Sequence, residues 1–329
     1  MKKKYNVLIT GGLGLIGSHI AKKFSKFTNV KNIICLDNYG RYTNPYKKKI
    51  TDYRDLRQSL IGKKLIIERG DIKYDSIIFK VILKYKPKYI FHLASLPLAK
   101  IDNLNSEEAL EGTVVSTAKI IEAINIINRI DNYKPTRFVY ASSSMVYGDF
   151  LDKKVSETHQ TKPKEIYGSA KLAGEVITRG LCKFYSINYS IIRPSAVYGP
   201  TDMNNRVSQI FLDNAMRNIN LNIMGKDEKL DFTYIEDIVE GFYKAATKQK
   251  GINQTFNITF GNSRKLIDYA IEVKKYFPKI EYKIYKRDSF RPIRGTLSIS
   301  KAKKLLGYKP KYNLEKGIKE YKRFKKRYN

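Results

Sequence analysis

A tyrosine and a lysine four residues apart, Tyr167 and Lys171 in Ile166-Tyr-Gly-Ser-Ala-Lys171, could together move a proton. Residues at i and i+4 share one face of a helix. There an ammonium can stabilise a phenolate, because an opposite charge within a few Å favours the charged form. A free phenol titrates near ~10, so it is a poor base at neutral pH until its surroundings shift it. The spacing alone says little in a chain with 25 Tyr and 63 Lys plus Arg. Its meaning rests on the elements that hold the pair and the residues that accompany it.

Those elements read as an α/β unit. Short apolar, strand-like runs occur at residues 6–10, 32–36, 65–68, 89–93, 137–141 and 189–192. Between them lie amphipathic, helix-like stretches, including 15–27, 76–85, 107–127 and 170–185. Such alternation predicts a Rossmann-like, doubly wound parallel sheet with helices on both faces. The more polar stretch 46–60 also reads as helical. After Gly199-Pro200 the pattern changes. Helices are expected at 207–217, 238–247, 266–277 and 300–306, and short strands at 255–258 and 281–285. The division expected is a dinucleotide-binding domain over 1–193 and a smaller α/β substrate domain over 194–329. Some of its segments are expected to return to the first. The basic end, 322–329, is expected to fray.

The first strand runs into Thr10-Gly-Gly-Leu-Gly-Leu-Ile-Gly17, which opens the first helix. Gly11, Gly14 and Gly17 permit a tight turn, close backbone approach to a pyrophosphate and close helix–strand packing. The helix start, Leu15 and Ile16, would offer free N–H groups and a positive dipole end to the phosphates. The second strand ends in Asp37-Asn38, about 20 residues past the glycines, where an acid suits ribose hydroxyls and repels a 2′-phosphate. NAD is therefore favoured over NADP, although Arg41 nearby is of the kind that reaches such a phosphate. Asp71, in Gly70-Asp-Ile72, could contact adenine or could cap the next helix.

Composition bounds the class. A hydrophobic share of 42% over 329 residues is ample for a core. No apolar run approaches the ~18–20 residues of a membrane span, and the apolar start is too short for a signal peptide. The chain reads as cytoplasmic. Cys35 and Cys182 sit in apolar runs, as inert thiols of a reducing compartment do. His19, His92 and His159 are scattered, so no metal site is expected. The net charge of +32 invites a nucleic-acid partner. Its lysines are spread over helix faces, however, and the field suits an anionic small substrate instead.

These residues together resemble the extended short-chain dehydrogenase/reductase family, in its NAD-dependent sugar-nucleotide epimerase/dehydratase branch. The ordered set is Thr10–Gly17, Asp37-Asn38, Gly70–Ile72, His92-Leu93-Ala94, Ser142-Ser-Ser-Met-Val-Tyr-Gly148, Tyr167–Lys171, Arg193–Pro200, Asp231–Asp237 and Ser300–Pro310. The resemblance implies a sugar-nucleotide substrate, a homodimer built on the helices around 107–127 and 167–185, and proton transfer by Tyr167. It gives Lys171 the nicotinamide ribose and the task of lowering the phenol's pKa. It gives Ser143 the reacting hydroxyl and makes Ser144 a substrate contact.

Departures from the family pattern carry information. Related dehydratases have Asp-Glu after the serine, and related decarboxylases a Glu before Val-Tyr-Gly; here Ser144 and Met145 stand there. Methionine has no titratable group, so elimination at that position has no carrier. Ala109, Ala196 and Leu230 replace the family's Asn, Asn and Arg, and Arg294 stands in place of an acid after Arg291-Pro292. Arg206, Arg291 and Arg294 are candidates for diphosphate contacts, with a solvated surface role the alternative for each. The reading is an NAD-dependent 4-epimerase. The alternatives are a 4-dehydrogenase or 4-keto reductase with net cofactor turnover, and a non-catalytic NAD- or nucleic-acid-binding protein.

Overall fold

The computed structural model describes residues 3–40, 52–96, 105–288 and 291–328. β1 (Tyr5–Thr10) passes through the glycine turn into α1 (Leu15–Ser25), followed by β2 (Val30–Asp37) and α2 (Arg54–Ile61). Then come β3 (Leu65–Arg69), α3 (Asp75–Tyr85) and β4 (Tyr89–His92). A long helix follows in three pieces: α4 (Ser106–Ala109), a π-helical turn at Leu110–Val115, and α5 (Ser116–Asp131). β5 (Arg137–Ala141), β6 (Lys154–Val155), α6 (Ile166–Phe184) and β7 (Tyr189–Pro194) succeed it.

The later elements are shorter. They are β8 (Val197–Tyr198), α7 (Val207–Met216), β9 (Leu221–Met224), β10 (Lys229–Leu230), β11 (Thr233–Tyr234) and α8 (Ile235–Thr247). β12 (Gln254–Ile258), β13 (Arg264–Lys265), α9 (Leu266–Tyr276), β14 (Tyr282–Tyr285), β15 (Thr296–Leu297), α10 (Ser300–Leu306) and α11 (Leu314–Tyr328) complete the order.

Seven strands form one parallel sheet in the order β12-β7-β5-β4-β1-β2-β3. Side chains alternate along each strand. Val7 and Ile9 therefore pack with Ile20 and Phe24 of α1 on one face, while Leu8 packs with Ile78 of α3 and Ile120 and Ile124 of α5 on the other. Burial on both faces is what a parallel sheet demands. The chain runs outward in opposite directions from β1 and β4, so a crevice opens beyond their carboxyl ends, the usual ligand position in such sheets. Thr10 and His92 close the two strand ends together, with Oγ1 and Nδ1 2.8 Å apart.

The expected strand at 255–258 is β12, and it joins the large sheet beside β7. The expected strand at 281–285 is β14, which pairs with β9. Of the stretch 46–60, residues 46–51 lie outside the described residues, and the rest enters α2. The tail differs from expectation: α11 continues to Tyr328 instead of fraying from 322. Its anchor is Lys325, 1% exposed, with Nζ 2.7 Å from Asp213 and 3.2 Å from the Tyr53 hydroxyl. A lysine removed from water must be paired, and its partners lie far back in the chain, where a local reading does not look. Among the described residues, no helix is long and apolar enough to cross a membrane.

Candidate active site

A cleft of ≈ 770 Å³ opens at the switch point of the sheet. Every expected site residue lines it: the glycine turn with Leu15 and Ile16, Asp37, Asn38, Asp71, Ile72, Leu93, Ala94, Ser143, Ser144, Tyr167, Lys171, Arg206, Arg291 and Arg294. The sequence elements that carry them are far apart; the parallel topology brings their ends together.

The glycine turn forms one end. Gly11 sits at φ +66°, and a Cβ there would lie 2.9 Å from the Ala94 nitrogen, so only glycine fits between β1 and β4. α1 begins at Gly14 with no side-chain cap and no acid in its first turn. Its first amides are thus left to an anion, and the residues present suit a diphosphate. Asp37 accepts from the Leu13 amide at 2.9 Å and from the Tyr39 amide at 2.9 Å, so it braces the turn. A carboxylate has further lone pairs for ribose hydroxyls. Asn38 donates to Asp71 at 2.9 Å, and Asp71 accepts from the Lys73 amide at 3.0 Å. Asp71 does not cap α3, whose cap position is Tyr74. Arg41 lies outside the described residues.

The other end holds the proton-transfer candidates. α6 starts at Glu165, whose carboxylate accepts from the Gly168 amide at 2.9 Å, so Tyr167 and Lys171 occupy its first two turns. Ser143 caps the short turn Ser144–Tyr147, accepting from the Met145 amide at 3.2 Å, and lines the cleft with Tyr167. Burial pushes the phenol above its ordinary 10.0; Arg206 and Ser143 pull it down, and Glu165 pushes it up. Lys171 is 3% exposed and donates to the Ala141 carbonyl at 2.8 Å. Its Nζ lies 5.9 Å from the Tyr167 ring centre. Burial lowers Lys171 to about 7 against the pull of Glu175.

Arg206 is the charge that draws the phenol's proton off, while burial opposes it.

Other contributors escaped the sequence reading. Glu175, 0% exposed, accepts from Ser142 at 2.6 Å, Arg193 at 2.8 and 2.7 Å and Arg179 at 3.0 Å. Its place two turns beyond Tyr167 on the same face was the available signal. Arg57, buried on α2, donates to the Leu13 and Thr201 carbonyls and so joins the glycine turn to the segment after β8. Nothing in its local sequence marks it.

The family model for GDP-mannose 4,6 dehydratase matches residues 8–321. The chain belongs to that family, the sugar-nucleotide epimerase/dehydratase branch of the extended short-chain dehydrogenases/reductases. It is 30% identical to an uncharacterised protein of Methanocaldococcus jannaschii, over 98% of this chain and 96% of the other. It is 27% identical to UDP-glucuronate 4-epimerase 1 of Arabidopsis thaliana, over 97% of this chain and 76% of that one. Among solved structures, the UDP-glucuronic acid 4-epimerase of Bacillus cereus in complex with NAD matches with a TM-score of 0.83 and 25% identity, covering 98% of this chain and 100% of that one.

Proposed function

We propose that this protein is an NAD-dependent sugar-nucleotide 4-epimerase. One observation carries the reading. Tyr167 and Ser143 line the same cleft, and the next two positions, Ser144 and Met145, offer no acid or base for elimination. Glu165, two residues before Tyr167, turns one oxygen to the Gly168 amide and does not line the cleft. Relatives named as 4-epimerases support the same reading.

The glycine turn and the start of α1 would hold the cofactor's diphosphate. Asp37, Asn38 and Asp71 would take the adenosine end, and Lys171 the nicotinamide ribose. Bound NAD would supply a hydride acceptor beside the reacting carbon and return the hydride to it. Ser143 and Tyr167 would hold the C4 hydroxyl between them. Deprotonated Tyr167, favoured by Arg206, would take its proton and later give one back from the same atom. Fixing base and substrate in one geometry supplies much of the acceleration.

The buried thiols Cys35 and Cys182 suit a reducing cytoplasm. Val176 on α6 and Ile126 and Ile130 on α5 are exposed at 57%, 48% and 65%, which suits pairing of these helices with a second copy.

A panel of UDP-, GDP- and dTDP-sugars tests the function. Turnover should yield the C4 epimer with no net rise at the reduced-nicotinamide band, and Tyr167→Phe should abolish it while NAD stays bound. Stoichiometric reduced cofactor would make the protein a dehydrogenase. Full activity in Tyr167→Phe would remove the mechanism.

A further inference from the structure

Arg294 is a cation in the cleft that forms no ion pair among the described residues. It is partly buried, and burial brings it down to about 10, which leaves it charged at neutral pH. Its Nη1 faces Met145 Sδ at 4.0 Å, a thioether that accepts hydrogen bonds poorly. Its Nε is buried and has no hydrogen-bond partner among the described residues. The acids around it are engaged elsewhere: Glu228 with Arg287 at 2.9 Å, and Asp288 with Arg291 at 3.5 Å. Glu165 feels its field, yet no hydrogen bond joins the two among the described residues. A guanidinium withdrawn from water without a partner is costly, and a ligand anion is the natural means of offsetting that cost.

Position identifies the kind of anion. Met145 lies two residues past Ser143, which lines the cleft together with Tyr167. Arg294 therefore faces the sugar end of the cleft, away from the glycine turn that suits the cofactor's diphosphate. Two departures from the family pattern act together here. An acid is missing at Met145, and an acid is replaced by Arg294 itself. Both shift the same spot toward positive charge.

We propose that Arg294 receives a carboxylate carried on the sugar ring, so that the substrate is a nucleotide-activated uronate in place of a neutral hexose. A planar guanidinium matches a carboxylate with two parallel hydrogen bonds, and Ser144 lines the same cleft. The inference rests on the sugar-nucleotide reading above, and it replaces the diphosphate role expected for Arg294.

Calorimetric titration of the NAD-loaded protein tests it without requiring turnover. The ligands are bare UDP and GDP, the neutral UDP-glucose and GDP-mannose, and the carboxylated UDP-glucuronate and GDP-mannuronate. The carboxylated member of one pair should bind at least about tenfold tighter than its neutral partner. Arg294→Gln should erase that advantage while changing binding of the bare diphosphate by less than about twofold, which also reports that the variant is folded. Arg294→Lys should keep part of the advantage. An equal loss for bare diphosphate and uronate would assign Arg294 to the diphosphate and overturn the inference. So would tighter binding of the neutral sugar by the unaltered protein. Binding of no diphosphate and no sugar nucleotide would overturn the underlying reading as well.

Discussion

At Tyr167 two effects compete: burial holds the proton on, and the Arg206 charge with the Ser143 hydroxyl draws it off. The spacing of Tyr167 and Lys171 was legible in the sequence. The share of each charge was not, because desolvation depends on what covers a residue. Lys171 makes the point. Its folded pKa, about 7, lies below the 10.5 of a free lysine. The unfolded chain therefore binds more protons between these values, and stability rises with pH across that window. The cost of the buried ammonium is fully present below about 7 and is relieved as pH approaches 10.5. Lys171→Met removes that cost. Its stability relative to the unaltered protein should fall by on the order of a few kcal/mol between pH 6 and pH 10. Urea unfolding at both pH values checks this; a flat difference would mean that the lysine keeps its ordinary pKa.

α6 shows how an element turns spacing into a site. Its periodicity predicted a helix, and Tyr167, Lys171 and Glu175 fall on one face, four residues apart. Gly174 lets the helix sit against β5, where a Cβ would run into the Tyr140 hydroxyl. Glu175 then ties the helix to β7 through Arg193, itself 4% exposed. The helix was legible, but this tie was not, since Arg193 lies just past the apolar run 189–192 and its partner sits on another element. Removing one partner of a buried pair leaves the other charge unpaired. Glu175→Gln should cost ~3–5 kcal/mol in chemical denaturation and slow turnover by loosening the base. A loss under ~1 kcal/mol would mean that the pair is not holding α6. The helix before β5 taught the opposite lesson. It read as one continuous helix, yet it contains a π-helical turn at Leu110–Val115 whose Gly112 lines the cleft. Its hydrophobic period survives such a turn and does not reveal it.

For the whole molecule, strand–helix alternation was enough to anticipate the parallel sheet, and the order of the strands places the cleft between β1 and β4. What local patterns could not give were the long returns. β12 comes back to edge the sheet beside β7, and α11 comes back to lock Lys325 onto Asp213. Such partners are chosen by topology, and sequence neighbours carry no trace of them. In the proposed reaction Tyr167 exchanges a proton with the C4 hydroxyl, and Ser144 and Met145 beside Ser143 supply no acid or base for elimination. Turnover in D₂O, with the product sugar read by proton NMR, tests it most directly. Inversion at C4 is expected with every carbon-bound proton retained, since the only proton exchanged with Tyr167 is on oxygen. Deuterium bound to carbon, together with loss of a hydroxyl group, would mean elimination and would contradict it.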